Sequence, residues 1–363
     1  VRGRLRAAAA GGAMIRDLHR LVDAVQRNCH ISDARHAREM TMCTYLLEMR
    51  EFFRWEHDIP LGASPPREDL GRWLTGREAL WGEVETEDFT PLPLGEACFD
   101  PFDAVRINRQ LARHGLVYGG GYGRFHKPHF FLAELLHRET RDGFDVLVSG
   151  REYARDITAI PAAFQGGAIY LRRDALRRWL WEKAELWQLK KADGPLRAAL
   201  AGHGFDEDPR QALERMTDAE TEAVILHEVG EGLAERLLGP TWKRMVSALR
   251  NRRAEILARA VRDNLADCLS TLPRLIEREA ASSVHFYFAN HEGMRREIFP
   301  ALGRAYRQAA ERGDLAPLSQ AAADGAEHWQ AVAERLIALH RAAPEDADLQ
   351  IEAIAADPAS IAL

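Results

Sequence analysis

The segment at residues 211–238, QALERMTDAETEAVILHEVGEGLAERLL, contains no proline, and its apolar residues recur at the spacing of a helix. It predicts one long α-helix. Other segments have the same character, and we predict further helices at about 14–56, 175–191, 241–272, 292–311 and 317–343. The fold class is therefore expected to be mainly α, a multi-helix bundle.

A different pattern occupies the middle of the chain, near residues 116–172. The segment HFFLAELLHRETRDGFDVLVSG, residues 129–150, has two apolar runs separated by Arg141, Asp142 and Gly143, which predicts a β-hairpin. The segment GGAIYLRRD at 166–174 predicts a third strand. We expect a small antiparallel β-sheet inserted into the helical bundle.

These patterns also predict how the chain is divided. No apolar core of a secretory signal precedes Met14, where the first amphipathic pattern begins, so we expect residues 1–13 to be a non-native or disordered extension. Residues 344–363 are acidic and rich in small side chains, which predicts a loose tail. The remaining regions are expected to be an N-terminal helical region at 14–115, a small β-sheet region at 116–174 and a C-terminal helical region at 175–343.

The composition is that of a globular protein. Of 363 residues, 46% are hydrophobic and 29% are charged, and the 49 basic and 55 acidic residues are mixed along the chain, for a net charge of −6. Nucleic acid is not expected as a partner, because no region is one-sidedly basic. No membrane partner is expected, because no apolar run approaches the roughly 20 residues that cross a bilayer. The four cysteines show no CxxC pairing, which indicates reduced thiols and a cytoplasmic location.

The helix predicted at 211–238 carries the first candidate metal site. Residues advance by about 100° around a helix, so Glu220, His227 and Glu231 fall within roughly 40° of one another, beside the apolar face. Glu228 falls on the opposite side, which we expect to be solvated. A carboxylate in a core must be paired, protonated or metal-bound, and carboxylate–histidine sets hold iron, manganese or zinc in helical bundles. The alternative is an ordinary surface pair between His227 and Glu231.

Asp33 and His36 form a second candidate pair. They lie three residues apart on a helix predicted at 32–56, whose apolar residues surround the axis and predict a central, mostly buried helix. One interpretation makes His36 a metal ligand that Asp33 orients, or makes both residues ligands from one helical turn. The other makes His36 an ordinary core histidine.

A third pair, Asp263 and Asp267, lies four residues apart on its predicted helix. This pair faces away from the apolar stripe, so we expect a solvated face. Together with the first set (Glu220, His227 and Glu231) and the pair Asp33 and His36, however, it would supply ligands for a dinuclear site.

The segment YGGGYGRFHKPHFF at residues 118–131 predicts a glycine-rich loop. Such a loop would place Arg124, His126, Lys127 and His129 near a small anionic substrate. The segment lacks the GKS or GKT of a phosphate-binding P-loop, so a nucleotide or phosphate cradle is the weaker interpretation. A flexible entry to the hairpin is the structural alternative.

Two resemblances bear on function. The segments NCHISDARHAREMTMCTYLLEMREFFRWE, ILHEVGE and HFYFANHEGMRREIFP resemble a conserved bacterial family of unknown function, which implies a bacterial protein and carries no activity. The spacing of glutamate and histidine between residues 220 and 231 resembles one ligand helix of haem-oxygenase-like di-iron oxidases, over that helix alone.

The leading hypothesis is a metal-dependent cytoplasmic enzyme in which a divalent ion (iron, manganese or zinc) activates water or oxygen. The expected metal site residues are Glu220, His227, Glu231, His36 and Asp33. The rival hypothesis is a non-enzymatic helical interaction or scaffold protein, whose histidines belong to its core.

Overall fold

The computed structural model describes residues 18–363, so the expected extension at 1–13 lies outside the described residues. The chain is mainly helical, as predicted, with a curled five-stranded sheet and a small two-stranded sheet. It divides into two compact units. Among the described residues, the first contains 18–139, Asp145–Pro161 and Tyr170–Arg178, and the second contains Thr140–Phe144, Ala162–Ile169 and Trp179–Leu363.

The first unit begins with α-helices, and the break between the first two falls within the helix predicted at 32–56. They are α1 (Leu18–His36), α2 (Met42–Glu56), α3 (Arg67–Val84) and α4 (Ala104–Leu111). The prediction of one unbroken helix is wrong, because Thr41 starts a new one. Thr41 has an extended backbone, and its hydroxyl accepts a hydrogen bond from the backbone N–H of Thr44 at 3.2 Å, which caps α2.

The expected burial of α2 holds only in its C-terminal half. There Phe52 is buried, stacks on Trp55 and contacts Trp73 edge to face. In its first turns Met42, Leu46 and Leu47 are 70%, 50% and 56% exposed, so the expectation of a mostly buried helix is wrong for this half. A helix whose apolar residues encircle it needs neighbours on every side, and α2 has them only near its end.

The strands are β1 (Leu92–Leu94), β2 (Ala97–Phe99), β3 (Leu116–Tyr122), β4 (Pro128–Arg141), β5 (Phe144–Arg155), β6 (Ala162–Gln165) and β7 (Ala168–Arg172). β1 pairs with β2, and the larger sheet has the order β3-β4-β5-β7-β6. The predicted hairpin is confirmed, since Asp142 and Gly143 have φ of 48° and 77°, as a tight hairpin turn requires. The predicted strand at 166–174 is confirmed as β7. The sheet is mixed and not wholly antiparallel, although β3 pairs antiparallel with β4.

Residues 118–122 of the glycine-rich segment are part of β3 and not of a loop. Gly119 and Gly121 pair with Phe131 and His129 of β4. A side chain at Gly119 is excluded because its Cβ would lie 2.1 Å from the Phe131 ring. The glycines therefore accommodate neighbouring rings, and residues 119–121 pair with β4 instead of forming the open loop that the phosphate-cradle interpretation expected.

Helix α5 (Arg173–Lys190) follows β7. The later helices are α6 (Pro195–Gly202), α7 (Pro209–Leu238), α8 (Pro240–Ala248), α9 (Arg252–Ala266), α10 (Leu272–Glu277), α11 (Ala281–Asn290), α12 (Gly293–Ile298), α13 (Pro300–Arg312), α14 (Ala316–Ala342) and α15 (Ala347–Ala356). The predictions at 211–238 and 317–343 are confirmed by α7 and α14.

The single helix predicted at 241–272 is wrong in two places. Asn251 ends the connection after α8 and caps α9, because its side chain accepts hydrogen bonds from the backbone N–H groups of Arg253 and Ala254. A π-helical turn, Asp267–Thr271, then separates α9 from α10.

The C-terminal segment is ordered, contrary to the expectation of a loose tail at 344–363. It forms α15, and Ile351 is completely buried in the core of the second unit. This core also contains Leu257, Val261 and Trp329, all completely buried. The small side chains of the segment let α15 pack closely on α9.

Candidate metal centre

Helices α7 and α9 cross closely at Gly230. A Cβ atom at this position would lie 2.2 Å from the carbonyl oxygen of Ala266. Because the glycine has no side chain, the backbones approach each other, and the polar residues on either side of the crossing meet. The crossing brings His227 and Glu231 of α7 to Asp263 of α9 and to Asp267 just beyond it.

His227 is held at both ring nitrogens. Its Nδ1 lies 2.7 Å from Oδ1 of Asp267, and its Nε2 lies 3.5 Å from Oε1 of Glu231. Burial disfavours the charged ring, but the carboxylates of Asp267 and Glu231 outweigh it and raise the pKa of His227 well above its usual value. This direction favours the imidazolium form of the ring, with Nδ1 donating to Asp267.

His227, Glu231 and Asp263 form a group that could hold a metal ion. Each offers one ligand atom, these atoms all lie within 4.8 Å of one another, and no other such group of three or more exists in residues 18–363. One imidazole nitrogen and two carboxylate oxygens suit iron, manganese or zinc. The three-ligand set would leave positions on the ion for water or substrate.

Arg262 supplies the positive charge between these carboxylates. Its Nη2 atom lies 2.5 Å from Oε1 of Glu231 and 2.8 Å from Oδ1 of Asp263. Its side chain is about one quarter exposed, so the guanidinium has a path toward solvent. A metal ion bound by the same two oxygens would have to displace it.

Asp267 anchors the network beneath His227. Its Oδ1 also accepts from the Thr271 hydroxyl at 2.9 Å, and its Oδ2 accepts from the Tyr287 hydroxyl at 2.9 Å and from Arg295. Burial would raise the pKa of Asp267, but Arg295 and His227 lower it far below its usual value. The carboxylate is thus ionised and fully hydrogen-bonded. It lies in the π-helical turn, a feature frequent at functional sites.

The expectation of a solvated face for Asp263 and Asp267 is wrong, because they are only 6% and 1% exposed. The residues opposite the apolar stripe of α9 are covered by α7. Glu228, also expected in solvent, is only 6% exposed. Burial and the nearby Glu231 raise its pKa, which favours its neutral form.

Glu220 lies outside the group although it shares the helical arc of His227. It is buried, burial raises its pKa to about 8, and it hydrogen-bonds Ser283. Seven residues along a helix correspond to about 10.5 Å of rise, which explains why Glu220 meets a different neighbour.

Asp33 and His36 are also outside the group, in the first unit. Asp33 is completely buried and accepts hydrogen bonds from Nζ of Lys127 and the backbone N–H of Ile157, both at 2.9 Å. His36 lies 3.3 Å from Glu39 instead. The carboxylate expected to orient His36 thus binds Lys127.

The expected substrate-binding residues divide into two pairs. Lys127 binds Asp33, and Nδ1 of His129 lies 2.6 Å from Oδ2 of the buried Asp156. Arg124 and His126 belong to a short 3₁₀ turn between β3 and β4.

Sequence reasoning missed Arg262, Tyr287 and Arg295. The Tyr287 hydroxyl and the Arg295 guanidinium both bind Asp267. The i, i+4 spacing of Asp263 and Asp267 was the sequence signal for this site. It could not be interpreted without knowing which helix covers the two aspartates.

The chain belongs to a family of unknown function, DUF6866. The N-terminal domain of that family matches residues 20–172 and the C-terminal domain matches residues 177–358. Comparison with curated proteins and with solved structures found no match. The resemblance to a family of unknown function is thereby confirmed.

Two further expectations concern the whole chain. All four cysteines are free thiols, with Cys29 and Cys268 buried. From Leu18 to Leu363, no helix combines the length and the apolar character needed to cross a membrane.

Proposed function

We propose that His227, Glu231 and Asp263 bind a divalent metal ion, and that the protein is an enzyme dependent on this ion. The observation that carries the proposal is the convergence of three ligand atoms within 4.8 Å. Iron, manganese and zinc all fit an imidazole with two carboxylates. The chemistry that such an ion supplies is the activation of water or oxygen.

The surroundings of His227 favour a metal ligand over a simple ion pair. Metal-binding histidines commonly present one ring nitrogen to the ion and donate the other to a carboxylate, which fixes the ring. Asp267 fills this second role, because it holds Nδ1 and leaves Nε2 facing Glu231. On metal binding His227 would lose its Nε2 proton and keep its bond to Asp267.

The substrate is proposed to be a small anion. Arg262 and Arg295 stand beside the group, and each side chain is about one quarter exposed. A guanidinium released from Glu231 by the ion would be free to bind a carboxylate or phosphate. In this proposal Arg262 attracts the anion and Arg295 keeps Asp267 ionised.

Metal analysis tests the proposal. Protein purified without chelator is expected to contain iron, manganese or zinc at near-stoichiometric amount, and His227→Ala should contain only traces. His285→Ala is the matched control, since His285 lies in the same unit and bonds Tyr306 at 2.8 Å. Chelator-treated protein titrated with Zn²⁺, Mn²⁺ and, without oxygen, Fe²⁺ should show one site. Absence of binding by all three ions would refute the proposal.

The metal-loaded protein then tests the enzymatic part. Hydrolysis of anionic phosphate and carboxylate esters, lost in His227→Ala and kept in His285→Ala, is the expected result for activated water. Oxygen consumption with the iron-loaded protein is the expected result for oxygen chemistry. If the metal-loaded protein shows neither ester hydrolysis nor oxygen consumption, the metal site stands but the proposal that the protein is an enzyme is refuted.

The rival function, a helical interaction protein, has one favourable observation. Met42, Leu46 and Leu47 of α2 are exposed apolar residues close together in the chain. If they bind a second copy, Leu46→Glu should abolish dimers in sedimentation measurements. A wild-type protein that is monomeric at every concentration would contradict self-association through this surface.

A further inference from the structure

A charged cavity of about 380 Å³ lies within the first unit, and none of the residues that line it belongs to the metal group. Cavities of about 300–1,000 Å³ are typical of small-molecule sites. Four arginines and four acidic residues line it, together with Trp55, Ile59, Pro60 and Leu61. The lining thus balances opposite charges beside an apolar wall.

Two buried arginines line this cavity with N–H groups that have no acceptor. Arg54 is 4% exposed and donates from Nη2 to the carbonyl oxygen of Ala63 at 2.7 Å. Its Nε and Nη1, and Nε of the buried Arg178, have no hydrogen-bond partner in the described part of the chain. Unsatisfied donors of buried charged groups are costly, so a bound acceptor would stabilise them.

Two buried carboxylates line the same cavity, each with one oxygen lacking a donor. Glu51 receives Nε of Arg50 on its Oε1 at 2.8 Å, and Glu152 receives Nε of Arg172 on its Oε1 at 2.6 Å. Within residues 18–363, Oε2 of each has no hydrogen-bond partner. Oε2 of Glu152 also lies 3.6 Å from Nη2 of Arg178, an ion pair without a hydrogen bond. The cavity therefore offers both donors and acceptors whose hydrogen-bonding capacity is unfilled.

We propose that this cavity binds a free α-amino acid. The ligand's carboxylate accepts from Arg54 and Arg178, and its ammonium donates to Glu51 and Glu152. The two kinds of group are close, since Nε of Arg54 lies 3.8 Å from Oε1 of Glu51. An α-amino acid suits this spacing, because its ammonium and its carboxylate are attached to the same carbon atom. Trp55 and Ile59 provide an apolar surface for its side chain.

A thermal-shift screen with each common L-amino acid is the first test. At least one amino acid is expected to raise the melting temperature of the full chain. Sodium acetate, methylamine and inorganic phosphate, which each carry one kind of charge, should not raise it. The proposal is overturned if no amino acid stabilises the protein, or if acetate or phosphate stabilises it equally well.

Calorimetry with the most stabilising amino acid tests the residues. Arg54→Gln should weaken binding by about tenfold or more, because a charge-assisted hydrogen bond is lost. Arg178→Lys keeps the charge but removes the Nε donor, so it should also weaken binding. This variant keeps the proposal testable if Arg54→Gln fails to fold. Arg72→Gln is the control, since Arg72 is an exposed partner of Asp69 on α3. Unchanged affinity in a folded Arg54 or Arg178 variant would refute the assignment, and His227→Ala should bind the amino acid normally.

Discussion

Asp267 accepts a hydrogen bond from Nδ1 of His227 at 2.7 Å, and this contact joins α7 to the π-helical turn that follows α9. It orients the ring, favours its protonated form in the metal-free protein, and directs Nε2 toward Glu231. The properties of the candidate metal centre depend on this pair.

We expect Asp267→Asn to weaken metal binding. Removing a carboxylate that orients a ligating histidine typically lowers metal affinity by about 10- to 100-fold. Titration calorimetry with Zn²⁺ measures the change. Thr271→Ala is the control, because it removes a different hydrogen bond to Oδ1 and leaves the carboxylate in place. Equal affinities for wild type and Asp267→Asn would mean that Asp267 does not position the ligand.

The metal-free protein should show a pH-dependent contribution from His227. Its pKa in the folded state is raised above the usual 6.5, so protonation stabilises the fold. This stability is fully present below pH 6.5 and is lost as the pH rises through the folded-state pKa. The difference in urea midpoint between wild type and His227→Gln, measured with chelator, should therefore shrink at alkaline pH.

His285→Gln provides the opposite case. Burial lowers the pKa of His285, so the fold favours its neutral ring. The stability that wild type gains over this variant should be present at high pH and decrease as the pH falls through 6.5. The same pH trend for both variants would contradict the assigned charge of His227.

Arg262→Gln should bind metal more tightly than wild type. In the wild type, the guanidinium contacts Oε1 of Glu231 and Oδ1 of Asp263. In the variant, a metal ion binding these oxygens no longer has to displace a positive charge. Without metal the variant should be less stable than the wild type. Removing one partner of a buried ion pair typically costs about 3–5 kcal/mol. The cost should be smaller here, because the pair is partly exposed to solvent. Calorimetry with Mn²⁺ and urea unfolding test both statements. Arg259→Gln, on the same helix, is the control, and weaker binding by Arg262→Gln would show that the arginine does not compete with the ion.

Gly230→Ala should disturb both the fold and the metal centre. Its Cβ would lie 2.2 Å from the carbonyl oxygen of Ala266, so the helices must separate, at a cost of about 1–3 kcal/mol. Urea unfolding and metal titration measure the two effects. At Gly303 the nearest atom to a new Cβ is the end of Arg307 at 3.9 Å, so Gly303→Ala should be neutral or stabilising. Full stability and metal affinity in Gly230→Ala would contradict the role of the crossing.

Local sequence signals predicted the main elements because they act over a few residues. The apolar periodicity predicted α7, and the turn residues Asp142 and Gly143 predicted the hairpin. The break before α2 was missed, because Thr41 can cap a helix or lie within one, and neighbouring contacts select between these roles. The glycines of β3 suggested a loop, because their requirement comes from the Phe131 ring on another strand.

The sequence by itself determined that His227 and Glu231 share one face of a helix, because the angle between them follows from helix geometry alone. Only the tertiary structure decided which polar groups completed the site. The angular positions around the helix also grouped Glu220 with these residues, although Glu220 lies about 10.5 Å from His227 along the helix axis. The angular positions assigned Asp263 and Asp267 to solvent, because the covering of a polar face depends on another helix. That covering follows from the close crossing at Gly230, a contact between residues far apart in the chain.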